Sequence, residues 1–403
     1  MPSPSLPRQP QGAVSPTLAE YADGVLGWNR AMLARAITLI ESSRPDHEEM
    51  AQELLNRLLP HTGRSIRVGI TGVPGVGKSV LIEALGCRLT AEGHRVSVLS
   101  VDPSSVRSGG SLLGDKTRMV RLSADPNAFI RPSPSSLALG GVARKTRETM
   151  LVCEAAGCDV VLVETVGVGQ SEVSVASMTD FLLVLMLAGA GDELQGIKRG
   201  LLELADMIAI TKADGENLSR AKLARSKYAF AMHLLRAEEQ PPVVTCSALD
   251  GSGIDEIWRI IFERTQKRER SGALPAQRSA QTVKWMWSLV KDQVRETLQQ
   301  NDAIRRIADQ AEHDVSIGGA VADARRAGDR PRAALLRNKL PGPSGTAGLS
   351  CRGDELIMAA ALRGCRRTSL RSDVSRAAMH VAMPWLPLEV SCRLQVSTAG
   401  AQS

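Results

Sequence analysis

Residues 64–79, Arg64-Ser-Ile-Arg-Val-Gly-Ile-Thr-Gly72-Val-Pro-Gly-Val-Gly-Lys78-Ser79, decide the fold. The first half is a short β-branched run that stops at glycine. The second half fits G-x-x-x-x-G-K-[ST], a loop whose backbone N–H groups turn inward around a phosphate chain. Its glycines permit that turn, because side chains there would obstruct the anion. A helix beginning at Lys78 points its positive end at the same place. On this reading Gly72, Val73, Pro74, Gly75, Val76, Gly77, Lys78, Ser79 and Val80 contact the nucleotide. Lys78 carries a point charge to the β/γ-phosphates, and the Ser79 hydroxyl is a magnesium ligand. A chance glycine-rich turn is the bland alternative, and the apolar strand before it and the helix after it argue against that.

Working outward, the chain alternates between apolar runs and helical stretches. A helix is expected over Lys78–Glu92, then strand RVSVLSVD ending at Asp102, then a long Ser/Gly-rich loop. Helix GVARKTRETMLVCEAAG leads to strand CDVVLVET. DFLLVLML, DMIAIT and PPVVTCSA supply three more strands. Near-continuous apolar strands alternating with helices imply an α/β P-loop NTPase fold, a mostly parallel sheet covered by helices on both faces. Ligands in such sheets bind at the carboxyl ends of the strands, where the polar motifs here fall.

Upstream, Leu33, Ile37 and Ile40, then Met50, Leu54, Leu55 and Leu58, recur at helical spacing and predict two amphipathic helices before the core. The chain therefore divides into a disordered leader (1–17), an N-terminal helical segment (18–62), the P-loop domain (63–272) and a helical extension (273–313). A compositionally atypical tail (314–403), rich in Arg, Ala, Gly, Pro and Ser, follows and is expected to be poorly ordered.

The net charge of +7 belongs almost wholly to that tail, which holds 13 Lys/Arg against 7 Asp/Glu; the rest holds 37 against 36. A basic tail without interleaved aromatic rings is not a base-stacking groove, so nucleic-acid binding is not expected. The chain has no apolar run of the ~18 residues a membrane span requires. The Pro-rich start has no signal-peptide core, so a cytoplasmic location is expected. The seven cysteines form no C-x-x-C pair and read as core thiols.

Magnesium prefers hard oxygen ligands, so acids near the phosphate loop matter. Asp102 ends the second strand, Glu164 ends the third, and Asp115 lies in GGSLLGDKTRM. Glu164-Thr-Val-Gly167 is similar to the D-x-x-G element of GTPases, with the Gly167 amide placed to sense a γ-phosphate and the following loop able to switch. A cap at Asp102 or a solvated loop charge at Asp115 is the plainer reading of each. Thr211-Lys212-Ala213-Asp214 matches [NT]-K-x-D. The Asp214 carboxylate can accept both N1–H and the exocyclic amine of guanine, a donor pair adenine lacks. The Lys212 stem can lie over the purine. Ser247-Ala248-Leu249 fits a loop whose backbone amide meets the guanine oxygen. Each motif alone is weak, and their order and spacing give them weight.

Together these residues resemble the methylmalonyl-CoA mutase-associated GTPases, the MeaB/ArgK family of GTPase chaperones, from about Ala31 to about Gln300. The most specific stretches are VDPSS (101–105), GGSLLGDKTRM (109–119), FIRPSPS (129–135), ETVGVGQSE (164–172) and AGAGDELQGIKRG (188–200). The resemblance implies GTP and GDP as bound nucleotides and Mg2+ as cofactor. It also implies a homodimer that loads, protects and reactivates an adenosylcobalamin-dependent acyl-CoA mutase. Carried over, Asp102, Asp115 and Glu164 are metal and water-positioning acids beside Lys78 and Ser79. Gly189–Lys198 becomes a mobile switch, with Lys198 a catalytic lysine, and Gln170 sits in the switch after Glu164. Val106-Arg107-Ser108 departs from the family's Pro-containing segment. Residues after His313 do not resemble the helices that pair subunits in the family, which puts that mode of dimerisation in question. An ArgK-type P-loop kinase, a nickel-insertion GTPase and a catalytically weak mutase-binding module are the rival readings. The scattered histidines (47, 61, 94, 233, 313 and 380) argue against the nickel reading.

Overall fold

The computed structural model describes residues 16–42, 44–101, 119–132, 139–165, 171–188, 199–235, 240–302, 305–306, 309–310 and 313. Asp102, Asp115, Gly167, Gln170, the 106–108 segment, Lys198 with most of its loop, and the tail lie outside these residues.

Strands β1 (Ile66–Gly72), β2 (Val96–Val101), β3 (Ala128–Arg131), β4 (Val160–Thr165), β5 (Phe181–Leu187), β6 (Met207–Thr211) and β7 (Val243–Thr245) form one sheet. Its order is β3-β2-β4-β1-β5-β6-β7, and every pairing is parallel. Alternate residues of each strand feed opposite cores, as the period of two requires. Val96, Val98, Val160, Leu162, Leu183 and Leu185 pack with α4 (Lys78–Ala91) and α10 (Ile254–Arg270). Leu99, Val101, Val161, Val163, Leu182 and Val184 face the other way. That second core also takes in α1 (Leu18–Leu26), α2 (Arg30–Glu41), α3 (Pro45–Leu58), α6 (Leu139–Ala155) and α9 (Leu218–Leu235). Short helices α5 (Val120–Ala124), α7 (Ser171–Ala176) and α8 (Arg199–Leu204) complete the connections, and α11 (Ala273–Gln300) follows α10.

Two elements differ from expectation. Three helices precede β1 rather than two: LAEYADGVL forms α1, started by a capping box in which Thr17 and Glu20 bond each other's backbone. Phe129-Ile-Arg131 is an edge strand of the sheet rather than loop. The four residues of β3, Ala128–Arg131, carry too little periodicity to announce a strand.

Gly69 and Gly72 let β1 run through the centre of the sheet. A Cβ on Gly69 would stand 2.7 Å from Val175 Cγ1, and one on Gly72 2.5 Å from the Leu185 carbonyl oxygen. At the amino end of β1, Arg67 forms a buried bidentate pair with Glu154 at 2.6 and 2.9 Å. The Arg67 amide donates to Asp180, which also accepts from Arg278 Nε at 2.9 Å. The phosphate-loop strand is thereby fixed at its base. Chain contacts divide between Arg278 and Ser279, and the described residues up to Arg278 form one compact unit. No helix among the described residues is long and apolar enough to cross a membrane.

Candidate functional site

At the carboxyl end of β1 the backbone turns through Gly72, Gly75 and Gly77, with φ of +149°, +78° and +97°. These are values side chains rarely tolerate, so the glycines set the loop's curvature. Gly77 caps α4, whose first residues Lys78 and Ser79 are each 8% exposed. Lys78 Nζ donates to the Gly72 and Val73 carbonyls at 2.8 and 3.3 Å, held along the rim of the loop. The arrangement is an amide-lined anion cradle with an ammonium at its edge and a helix N-terminus beneath it. Val73, Pro74 and Gly75 lie at its accessible rim, Val76 is buried, and Val80 is exposed in the first turn of α4.

Glu164 lies on β4, in register with Ile70 of β1 and Ser100 of β2. Ser79 Oγ donates to its Oε1 at 2.9 Å, although the two residues are 85 apart in sequence. A hydroxyl and a carboxylate joined at a helix N-terminus beside an anion cradle are hard oxygen donors, and they suit a small divalent cation. Among the described residues no three His, Cys, Asp or Glu cluster in a metal-binding group. Of the expected metal acids, then, Glu164 is the one the described structure brings to Ser79. Beneath it, Thr165 Oγ1 donates to Thr71 Oγ1 at 2.8 Å, pinning β4 to the phosphate-loop strand.

The base-reading motifs converge beside the cradle. Thr211 ends β6, and its hydroxyl donates to the Val76 carbonyl at 2.7 Å. The residue in the slot more often held by Asn is thus a tie between the two loops. The [NT]-K-x-D match gives Thr211 no role of its own, and a hydroxyl in an amide's position is the signal for this tie. Lys212 follows with φ of +55° and an exposed side chain. Asn217 Nδ2 donates to its carbonyl at 2.6 Å and holds that left-handed turn. The Asp214 side chain makes no helix-cap bond, and its Oδ2 accepts from Ser247 Oγ at 2.6 Å. Ser247 therefore orients the carboxylate, a role the S-A-L motif did not reveal. The Leu249 amide donates to Ser247 Oγ at 3.2 Å, and its side chain is 83% exposed next to half-buried Ala248. The Ala213 amide donates to the Cys246 carbonyl at 3.0 Å, locking the two segments together. Burial pushes the Cys246 thiol up to about 12, so it is a protonated packing group.

The fold, the phosphate cradle and the paired base-reading loops define a P-loop GTPase. The family model for "Methylmalonyl Co-A mutase-associated GTPase MeaB" matches residues 33–303. A probable GTPase of Mycobacterium tuberculosis is 54% identical over 305 residues, covering 75% of this chain and 91% of the relative. GTPase ArgK of Escherichia coli is 49% identical over 293 residues, covering 72% and 88%. The mouse mitochondrial methylmalonic aciduria type A homolog is 46% identical over 317 residues, covering 75% and 76%. A crystal structure described as a LAO/AO transport system kinase superposes with TM-score 0.63 at 40% identity, covering 79% of this chain and 99% of that one. The chain belongs to the MeaB family of methylmalonyl-CoA mutase-associated GTPases.

Proposed function

We propose that this GTPase uses magnesium-dependent GTP hydrolysis to run a chaperone cycle on an adenosylcobalamin-dependent acyl-CoA mutase: cofactor loading, protection and reactivation. The observation carrying the reading is the convergence of Lys78, the Ser79–Glu164 pair and the Asp214–Ser247 pair at the carboxyl ends of the strands of one sheet, in a chain of a family described by its mutase.

In this mechanism the amides of residues 72–80 hold the phosphates, and Lys78 swings from the loop carbonyls onto the β/γ-oxygens. Ser79 and Glu164, with Asp102 and Asp115, would hold the magnesium, which would supply positive charge against the phosphates. The acids also orient the attacking water. Lys198 adds positive charge as the γ-phosphoryl is transferred. Phosphoryl transfer leaves the protein mainly positioning and electrostatics to supply. Asp214 takes the guanine N1–H and amine, the Lys212 stem covers one face of the base, and the Ser247–Leu249 loop approaches its oxygen.

Phosphate release, measured with and without a cobalamin-dependent acyl-CoA mutase, tests the proposal. Slow turnover that the mutase accelerates is expected. Lys78→Ala should lower the rate by ~10²–10³-fold, the usual consequence of removing one charge-stabilising donor. Unchanged hydrolysis in Lys78→Ala would sink the mechanism. Transfer of the γ-phosphate to an acceptor protein would favour the kinase reading raised by the LAO/AO description instead.

A further inference from the structure

β2 and β4 are neighbours, and Ser100 stands in register with Glu164. Val96 and Val98 share a core with Val160 and Leu162, so the alternation brings Ser100 and Glu164 out on one face, the face α4 covers. Glu164 is the carboxylate that accepts from Ser79. Ser100 is 7% exposed, and its Oγ has no hydrogen-bond partner among the described residues. A buried hydroxyl without a partner costs folding free energy, and alanine would remove that cost. Neighbouring strands lie about 4.8 Å apart, a spacing across which a single water molecule can bridge two side chains on the same face. Bound magnesium keeps several of its waters.

We propose that Ser100 is a positioning residue of the metal site, its hydroxyl hydrogen-bonding a magnesium-held water that faces Glu164. The proposal rests on reading Ser79 and Glu164 as metal ligands. Groups in this outer position commonly change metal affinity by 10–100-fold.

The test is GDP binding by calorimetry over a magnesium titration and in EDTA, with melting temperature measured in EDTA. Ser100→Ala should need roughly 10-fold more magnesium for half of the affinity gain. Its GDP affinity in EDTA should match wild type, and its melting temperature there should be equal or higher. Ser97→Ala, on the same strand but the opposite face, should keep the wild-type magnesium requirement. The proposal is overturned by a wild-type magnesium requirement in Ser100→Ala, by an equal loss in EDTA, or by the same shift in Ser97→Ala. If wild-type protein shows no magnesium effect on GDP binding, the metal reading of Ser79 and Glu164 fails, and this proposal with it.

Discussion

Thr211 shows how much one hydroxyl does at this site. It bonds the Val76 carbonyl at 2.7 Å and the Met186 carbonyl at 3.3 Å, so a single side chain joins phosphate loop, β5 and base loop. Thr211→Val keeps the shape and removes the donor to the Val76 carbonyl, at a cost of ~1–3 kcal/mol. We expect GDP affinity about 10-fold weaker, a factor corresponding to ~1.4 kcal/mol, while Thr211→Ser stays near wild type. Calorimetric binding constants for the two variants decide it, and equal affinities would show that the tie carries nothing. Thr211 and Ser247 were poorly legible in the sequence for a shared reason. Each acts through a bond to a backbone or side chain that only folding brings close.

At the scale of elements, the base-reading loop depends on the start of α10. Gly253 has φ of +75°, and a Cβ there would lie 2.2 Å from the Thr245 carbonyl oxygen. Neither the strained backbone nor the clash can be relieved by rotating a side chain. Gly253→Ala should therefore destabilise the fold by roughly 1–3 kcal/mol, the scale of a non-glycine residue held in such a conformation. It should also displace Ser247 and weaken guanine-nucleotide affinity. Urea unfolding together with GDP binding checks both, and a wild-type unfolding midpoint would refute the argument. The longer helices and strands were readable from periodicity and apolar runs, whereas α1 was not, and neither was β3. Its four residues join the sheet because β2 offers an edge, a cause external to its own sequence.

The whole molecule makes the N-terminal helices part of the enzyme's core. Leu33, Ile37, Ile40, Leu54 and Leu58 are each at most 1% exposed and share a cluster with β4, β5 and β6. At ~1.5–3 kcal/mol per buried side chain, losing them rivals the 5–15 kcal/mol that stabilises a typical domain. Deleting residues 16–62 is expected to give protein without a cooperative thermal transition; a soluble, sharply melting product would contradict this. Stability should also respond to alkali through Cys246. Its folded pKa of about 12 lies above the ordinary 9.0, so its contribution is intact below pH 9 and is lost as pH rises from 9 towards 12. Relative to Cys246→Ala, wild-type protein should lose about 1.4 kcal/mol between pH 8 and 10, measured by urea unfolding.

The sequence alone determined the parallel α/β architecture, the phosphate loop, the guanine motifs and the family, because each is written in local spacing or unbroken apolar runs. Tertiary structure decided the rest. It joined Ser79 to Glu164 and Ser247 to Asp214, put Thr211 on the phosphate loop, and made the leading helices part of the main core. Those choices depend on strand order and register, which bring together residues that chain distance keeps far apart.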